Sequence, residues 1–291
     1  MKRSDTSLTQ LYAAFVAKRT EEGRVQCAKF DRKNSRQIDR LVMHGVTTTR
    51  ELIDALPRLP PALRDFGIWW FSIVKSRGAE GVLLQLLHDE PKCRLSCAAA
   101  LSSIGGKRSA REFIQIGETQ LAMPKPDSEW LDVVIQGLRF PECRGAEEIL
   151  LTIFERTDLP GWLRGDTGDA LSCCPQLQDR RTSSFRRAWK SAMEGIFDPE
   201  IEMQFWSMYV IANLAMNDSS HSMRSNHRFD PALPRLREIQ ANDHRLAPGF
   251  WWPMSAEAED VICVINTGHW PEHDAGDRWH ANATRGPMNR S

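Results

Sequence analysis

The sequence lacks a net charge of either sign. Its 38 Lys+Arg balance 38 Asp+Glu, and the isoelectric point is about 7.1. No strong phosphate-attracting field is therefore expected, and nucleic acid is not the expected partner. Long apolar runs are missing too: nothing approaches the roughly 18 residues a membrane-spanning helix needs. The opening Met1-Lys2-Arg3-Ser4-Asp5 leads into an ordinary amphipathic segment rather than the apolar stretch of a secretory signal. Tyrosines number only two, clusters of Val, Ile and Thr are few, and no apolar/polar alternation marks a strand. The patterns G-x-x-x-x-G-K-[ST], G-x-G-x-x-G, H-E-x-x-H and G-x-S-x-G are all absent, so the common nucleotide, zinc-protease and hydrolase signatures are missing. No Cys-x-x-Cys pair occurs among Cys27, Cys93, Cys97, Cys143, Cys173, Cys174 and Cys263. An odd number of thiols inside apolar helical patterns reads as reduced cysteine in a cytoplasm, with neither a disulfide framework nor a zinc site. No catalytic residues, metal or cofactor are assigned.

What is present is helical periodicity. Apolar residues make up 41% of the chain and the mean hydropathy is −0.44, enough for a core under a polar surface. Period-3.6 patterning predicts helices near 6–22, 34–44, 48–56, 61–76, 79–88, 92–104, 108–117, 128–139, 144–156, 160–172, 183–195, 199–216, 231–240 and 255–266. The breaks carry Pro, Gly or Asp, among them Pro57, Pro60-Pro61, Pro91, Gly105-Gly106, Pro160-Gly161 and Asp198-Pro199.

One frame recurs along these helices: an Arg, two residues, two small or medium residues, a free position, then a small-plus-large apolar pair. It is clearest at Arg94-Leu-Ser-Cys97-Ala98-Ala99-Ala100-Leu101 and at Arg164-Gly-Asp-Thr167-Gly168-Asp169-Ala170-Leu171. Arg64 opens a bulkier version through Gly67, Ile68, Trp70 and Phe71. Leu131 and Gln204 replace the Arg in two further copies. Small side chains at 97, 98, 100, 167, 168 and 170 let a neighbouring helix approach, and Leu101, Leu138 and Leu171 fill the layer between. One further helix lies between successive frames, so each unit is a helical hairpin.

The frame, its 30–40-residue spacing and the Asp198-Pro199 step resemble HEAT repeats over roughly residues 46–216. The resemblance implies an all-α solenoid, a superhelix of about five stacked hairpins with helical caps. Residues 1–45 would be an N-terminal cap, 46–216 the repeat array, and 217–291 the C-terminal helices and an irregular tail. Leu131 and Gln204 interrupt the Arg series, which puts a continuous Arg/Asp ladder in question. Small stand-alone bacterial proteins of this type resemble adaptors, or immunity proteins that neutralise a toxin. The resemblance thus implies a non-enzymatic protein-binding scaffold in a bacterial cytoplasm, with a protein partner that is a toxin or a complex subunit. Its contacts are expected near the frames, at Arg64, Asp65, Arg94, Arg164, Asp166 and Glu202.

An alternative comes from alkyl-purine DNA glycosylases, also built from HEAT-like repeats, which hold Trp and Asp beside the lesion. Ten tryptophans and the Trp130-Leu-Asp132 step keep it open. Residues 101–200 carry 13 basic and 16 acidic groups, which a DNA groove would not favour. The paired His-Glu steps of HEAT-built deoxyhypusine hydroxylases are absent. Three local features complete the reading. Residues 1–50 hold 11 Lys+Arg against 5 Asp+Glu, and Arg180 to Lys190 form a second basic cluster. His269, His273 and His280 lie among acidic residues and read as a solvated tail. Trp251-Trp252 are expected to close the end of the stack.

Overall fold

The computed structural model of the chain describes residues 6–21, 28–139, 145–172, 174, 177, 179, 181–216, 228–250 and 252–271. Among them the regular structure is helical, in fourteen α-helices with a few short 3-10 turns, and two isolated bridges are the only β pairings. No helix of the described residues is long and apolar enough to cross a membrane. The chain forms two compact units, residues 1–111 and 112–291, with the boundary inside the helix Lys107–Leu121 and so inside the stretch 46–216.

The first unit contains α1 (Leu8–Glu21), α2 (Ala28–Met43), α3 (Thr49–Ala55), α4 (Pro61–Val74), α5 (Glu80–Asp89), α6 (Arg94–Ile104) and the first turn of α7 (Lys107–Leu121). Its helix ends follow the chemistry of the breaks. Thr48 caps α3 in a reciprocal box with Glu51, whose carboxylate accepts from the Thr47 and Thr48 amides. The Thr47 amide leads the interactions that hold the Glu51 carboxyl below its usual range. Pro61 opens α4, where a missing N–H is harmless. Gly105 closes α6 in the left-handed region at φ 68°. Glu80 of α5 reaches the start of α7 and accepts from the Ser109 amide at 2.8 Å, an anchor that no local pattern announces. α6 packs against both α4 and α5, α4 also touches α2, and α1 touches α2. Trp70, Phe71, Leu52, Leu56, Leu83, Leu87 and Leu101 are fully buried. Tyr12, Phe15, Phe66, Trp69 and Trp70 form an aromatic cluster with centroids 5.3 to 6.4 Å apart.

The second unit holds the rest of α7, then α8 (Ser128–Leu138), α9 (Ala146–Glu155), α10 (Gly161–Ser172), α11 (Ser183–Gly195), α12 (Ile201–Met216), α13 (Leu233–Asn242) and α14 (Met254–Thr267). α9 packs on α8 and α10, α11 on α12 and α13 on α14, and several helices also meet the next but one. α8 touches α10, α10 touches α12 and α12 touches α14, while α9 touches α11. α10 and α12 run in the same direction, because Gly161 lies against Glu200, Gly165 against Glu202 and Gly168 against Trp206. α9 and α11 also run in the same direction: Ser184, in the first turn of α11, reaches Glu148 in the first turn of α9, and the next turn of α11 reaches the far end of α9 through Arg187 and Glu155.

The small positions of the frame lie in these seams. A Cβ on Gly67 would sit 2.5 Å from Leu56, and one on Gly137 would meet the Phe113 ring at 2.4 Å. Ser207 faces Gly195, whose own Cβ would collide with it. Leu101, Leu138 and Leu171 are buried. The tightest backbone approach is at Gly165, where a Cβ would lie 2.9 Å from the Glu202 carbonyl oxygen. Backbone cannot yield as a side-chain tip can. Gly165→Ala is therefore expected to destabilise the protein by about 1–3 kcal/mol through overpacking, lowering the urea midpoint at unchanged slope.

Candidate functional site

The six residues singled out by the frames fall in both units: Arg64, Asp65 and Arg94 in the first, Arg164, Asp166 and Glu202 in the second. The arginines share one task. Arg64 Nη2 donates to the Leu59 carbonyl at 3.3 Å, Arg94 Nε to the Leu87 carbonyl at 3.3 Å and Arg164 Nε to the Phe154 carbonyl at 3.2 Å. Gln204, at the same frame position, donates to the Ile196 carbonyl at 3.1 Å. Each acceptor lies at or just beyond the C-terminal end of the preceding helix, where carbonyls have no intrahelical partner. Leu131 cannot donate and is buried; the carbonyl of Leu121 at the end of α7 instead receives Arg156 Nη1 at 3.3 Å.

Two of the arginines also reach forward, to an acid just ahead of the next frame. Arg64 pairs with Glu90 at 3.0 Å, and Arg164 pairs with Asp198 at 2.8 Å. The Arg164 pair is nearly dry, with side chains 10% and 15% exposed. These guanidinium groups therefore serve the joints between helices. The carboxylates of the set differ: Asp65 is exposed, while Asp166 and Glu202 are half-exposed.

Asp166 and Glu202 belong to a larger face of the second unit that the sequence did not reveal as one. On α8, α10 and α12 the half-exposed positions recur at helical spacing. They are Asp132, Gln136 and Arg139 on α8, then Trp162, Asp166 and Asp169 on α10, then Glu202, Trp206, Tyr209 and Asn213 on α12. Arg139 pairs with Asp169 and ties the first stripe to the second. Burial pushes the Asp169 carboxyl above its ordinary range, Arg139 opposes that rise, and Asp166 adds to it. Trp206 and Tyr209 have ring centroids 5.3 Å apart, and Trp270 lies 5.3 Å from Tyr209.

At the α14 edge of this face two acids are buried one turn apart. Glu257 is 0% exposed and Asp260 is 1% exposed. Trp252 Nε1 donates to Glu257 Oε2 at 2.8 Å, and the Tyr209 hydroxyl also bonds Glu257. Desolvation first, then the charges of Glu257, Asp260 and Asp169, hold Tyr209 in its phenol form far above its usual titration range. Sequence patterning gave no hint of this cluster, because acids at 257 and 260 look like any solvated helix face. Trp252 is buried and packs on Phe250 at 4.4 Å, while Trp251 lies outside the described residues.

The remaining sequence candidates are placed as follows. Arg187, counted in a basic cluster, clamps Glu155 with two hydrogen bonds at 2.7 and 2.9 Å and also pairs with Glu148, locking α11 to α9. Arg186 and Lys190 remain exposed, and Arg180 lies outside the described residues. Trp130 and Asp132 are half-exposed on the first turn of α8. His269 is exposed, and His273 and His280 lie outside the described residues. No group of His, Cys, Asp and Glu among the described residues is arranged to hold a metal ion. Of the four described cysteines none is in a disulfide, and burial raises the Cys97 thiol to about 12. No protein family, curated protein or solved structure matches the chain.

Arg164→Ala strands the Asp198 carboxylate and the Phe154 carbonyl, so a loss of about 3 kcal/mol is expected in urea unfolding. Tyr209 is one of only two tyrosines, so in a Tyr12→Phe background the alkaline rise in absorbance at 295 nm, above the pH-independent absorbance of the tryptophans, reports its ionisation. A phenol whose folded value is raised contributes stability below its unfolded value, near 10, and loses it as pH rises beyond. Tyr209 is thus expected to stay un-ionised until the fold collapses in alkali, and Tyr209→Phe to flatten the alkaline fall in stability.

Proposed function

We propose that the protein is a non-enzymatic binding scaffold of the HEAT-like solenoid type, with the face of α8, α10 and α12 as its docking surface. The observation that carries this reading is the parallel row in the second unit. Helices two apart in sequence lie side by side and present their half-exposed residues together. A row of that kind makes a broad preformed surface, and a rigid surface binds without the ordering cost of a loop. Its chemistry is carboxylate and indole, from Asp132, Asp166, Asp169, Glu202, Trp162 and Trp206. Indole rings supply area and anchor points, and carboxylates select a cationic counterpart. Inhibition or organisation of the partner would be steric, as in an immunity or adaptor protein of a bacterial cytoplasm.

The same carboxylates weigh against the glycosylase alternative, since they repel the phosphates that such an enzyme must track. Affinity capture with the full chain from host lysate separates the two readings. A stoichiometric protein partner that is lost from an Asp166→Lys/Glu202→Lys variant of native melting temperature supports the docking face. Capture of nucleic acid that disappears as salt rises, with no protein partner, replaces it with the DNA-processing reading.

A further inference from the structure

The charge that the chain balances overall is not balanced locally. Among the described side chains, the exposed side of α2 carries Arg32, Lys33, Arg36 and Arg40 against one acid, Asp39. Beyond the last of these, Val42 is 43% exposed and Met43 86% exposed, the latter the most exposed large apolar side chain among the described residues. The opposite side, with Asn34, Ile38 and Leu41, is buried in the first unit. α2 is thus a fixed helix with a basic stripe and an apolar tip. The docking face of the second unit offers the complement. Asp132, Asp166 and Glu202 bracket half-exposed Trp162, Trp206 and Tyr209, and Arg139, the cation of this face among the described residues, is paired with Asp169.

The dimensions agree. From Arg32 to Met43 the helix rises about 16 Å at 1.5 Å per residue. Three packed helices at about 8–10 Å between axes put α8 and α12 about 16–20 Å apart. Arginines over indole rings and a methionine thioether against aromatic edges are both favourable pairings. Net charge near zero removes the general repulsion that would keep two copies apart.

We propose that the α2 stripe of one copy docks on the α8–α10–α12 face of a second copy, giving a head-to-tail, salt-sensitive self-association. The contact joins two different surfaces, so each copy keeps one of each unsatisfied and association continues beyond the dimer unless a ring closes. The proposal uses the face assigned above but does not depend on any foreign partner. Where such a partner exists, self-docking competes with it.

Sedimentation velocity on the full chain tests this at low and high salt over a range of concentrations. The weight-average mass is expected to climb above the 33.2 kDa of one chain with concentration at low salt, and to return to it near 1 M salt, where screening reaches about 3 Å. Arg36→Glu/Arg40→Glu disables one surface and Asp166→Asn/Glu202→Gln the other. Each alone is expected to weaken association at least about tenfold. Mixed, the two variants retain one good surface each and are expected to give a heterodimer that grows no further. A wild-type chain that stays monomeric at every concentration in low salt overturns the proposal, as does association that neither variant changes. If the acid-face variant does not fold, the α2 variant decides, because Arg36 and Arg40 are exposed. A monomeric wild type that still captures a foreign protein through Asp166 and Glu202 leaves the scaffold reading standing and removes self-docking alone.

Discussion

A helix that ends inside a packed protein leaves carbonyls without partners, and here the answer to that constraint organises the chain. Arg64, Arg94, Arg164 and Gln204 each sit near the start of one helix and donate to a carbonyl at the end of the helix before. The donor satisfies the exposed carbonyl dipole and fixes how the second helix leaves the turn. Arg64 and Arg164 add a second hold, on Glu90 and Asp198, in the turns that lead into α6 and α12. Once the joints are set, the small residues of the frame fall opposite the neighbouring helix, and the layers can close to the distance that Gly165 and Gly168 permit.

The face of the second unit follows from this. If helices two apart run parallel and in contact, residues at equal depth along them form transverse bands. Arg139 and Asp169 mark one such band, and Gly168 with Trp206 another. The carboxylates come from three adjacent helices, Asp132 on α8, Asp166 and Asp169 on α10 and Glu202 on α12, which the packing sets side by side. Burial raises the Asp169 carboxyl above its ordinary range, Arg139 of α8 opposes that rise, and Asp166 one turn away on α10 adds to it.

The helices themselves were legible because Pro, Gly and Asp punctuate strong 3.6-residue patterns; the segment 183–195, for instance, is α11 (Ser183–Gly195). α2 begins at Ala28 rather than near 34, since its first turns are almost wholly polar and give no period to read. The small positions were legible too, because a close approach demands small side chains wherever it occurs. The roles of the charged residues were not. Arg64, Arg94 and Arg164 recur in a pattern that suggests a partner surface, yet the carbonyls they bond are 5, 7 and 10 residues away in sequence, where no fixed spacing betrays them. Arg187 looked like part of a basic patch because its partners, Glu148 and Glu155, are more than thirty residues distant. Glu257 and Asp260 are buried by tertiary packing alone, which a sequence of charged and apolar letters does not record.

The uneven reach of the frame donors has a consequence for how such a chain can change. The link from Gln204 spans 8 residues, and those from the three arginines span 5, 7 and 10, yet all four close the same joint. The length of each connection is therefore uncoupled from the packing on either side of it. A connection of this kind can gain or lose residues, or acquire a recognition loop, while the layers beneath keep their register. Diversity is cheapest at the turns, and the helical rows remain a constant chassis under them.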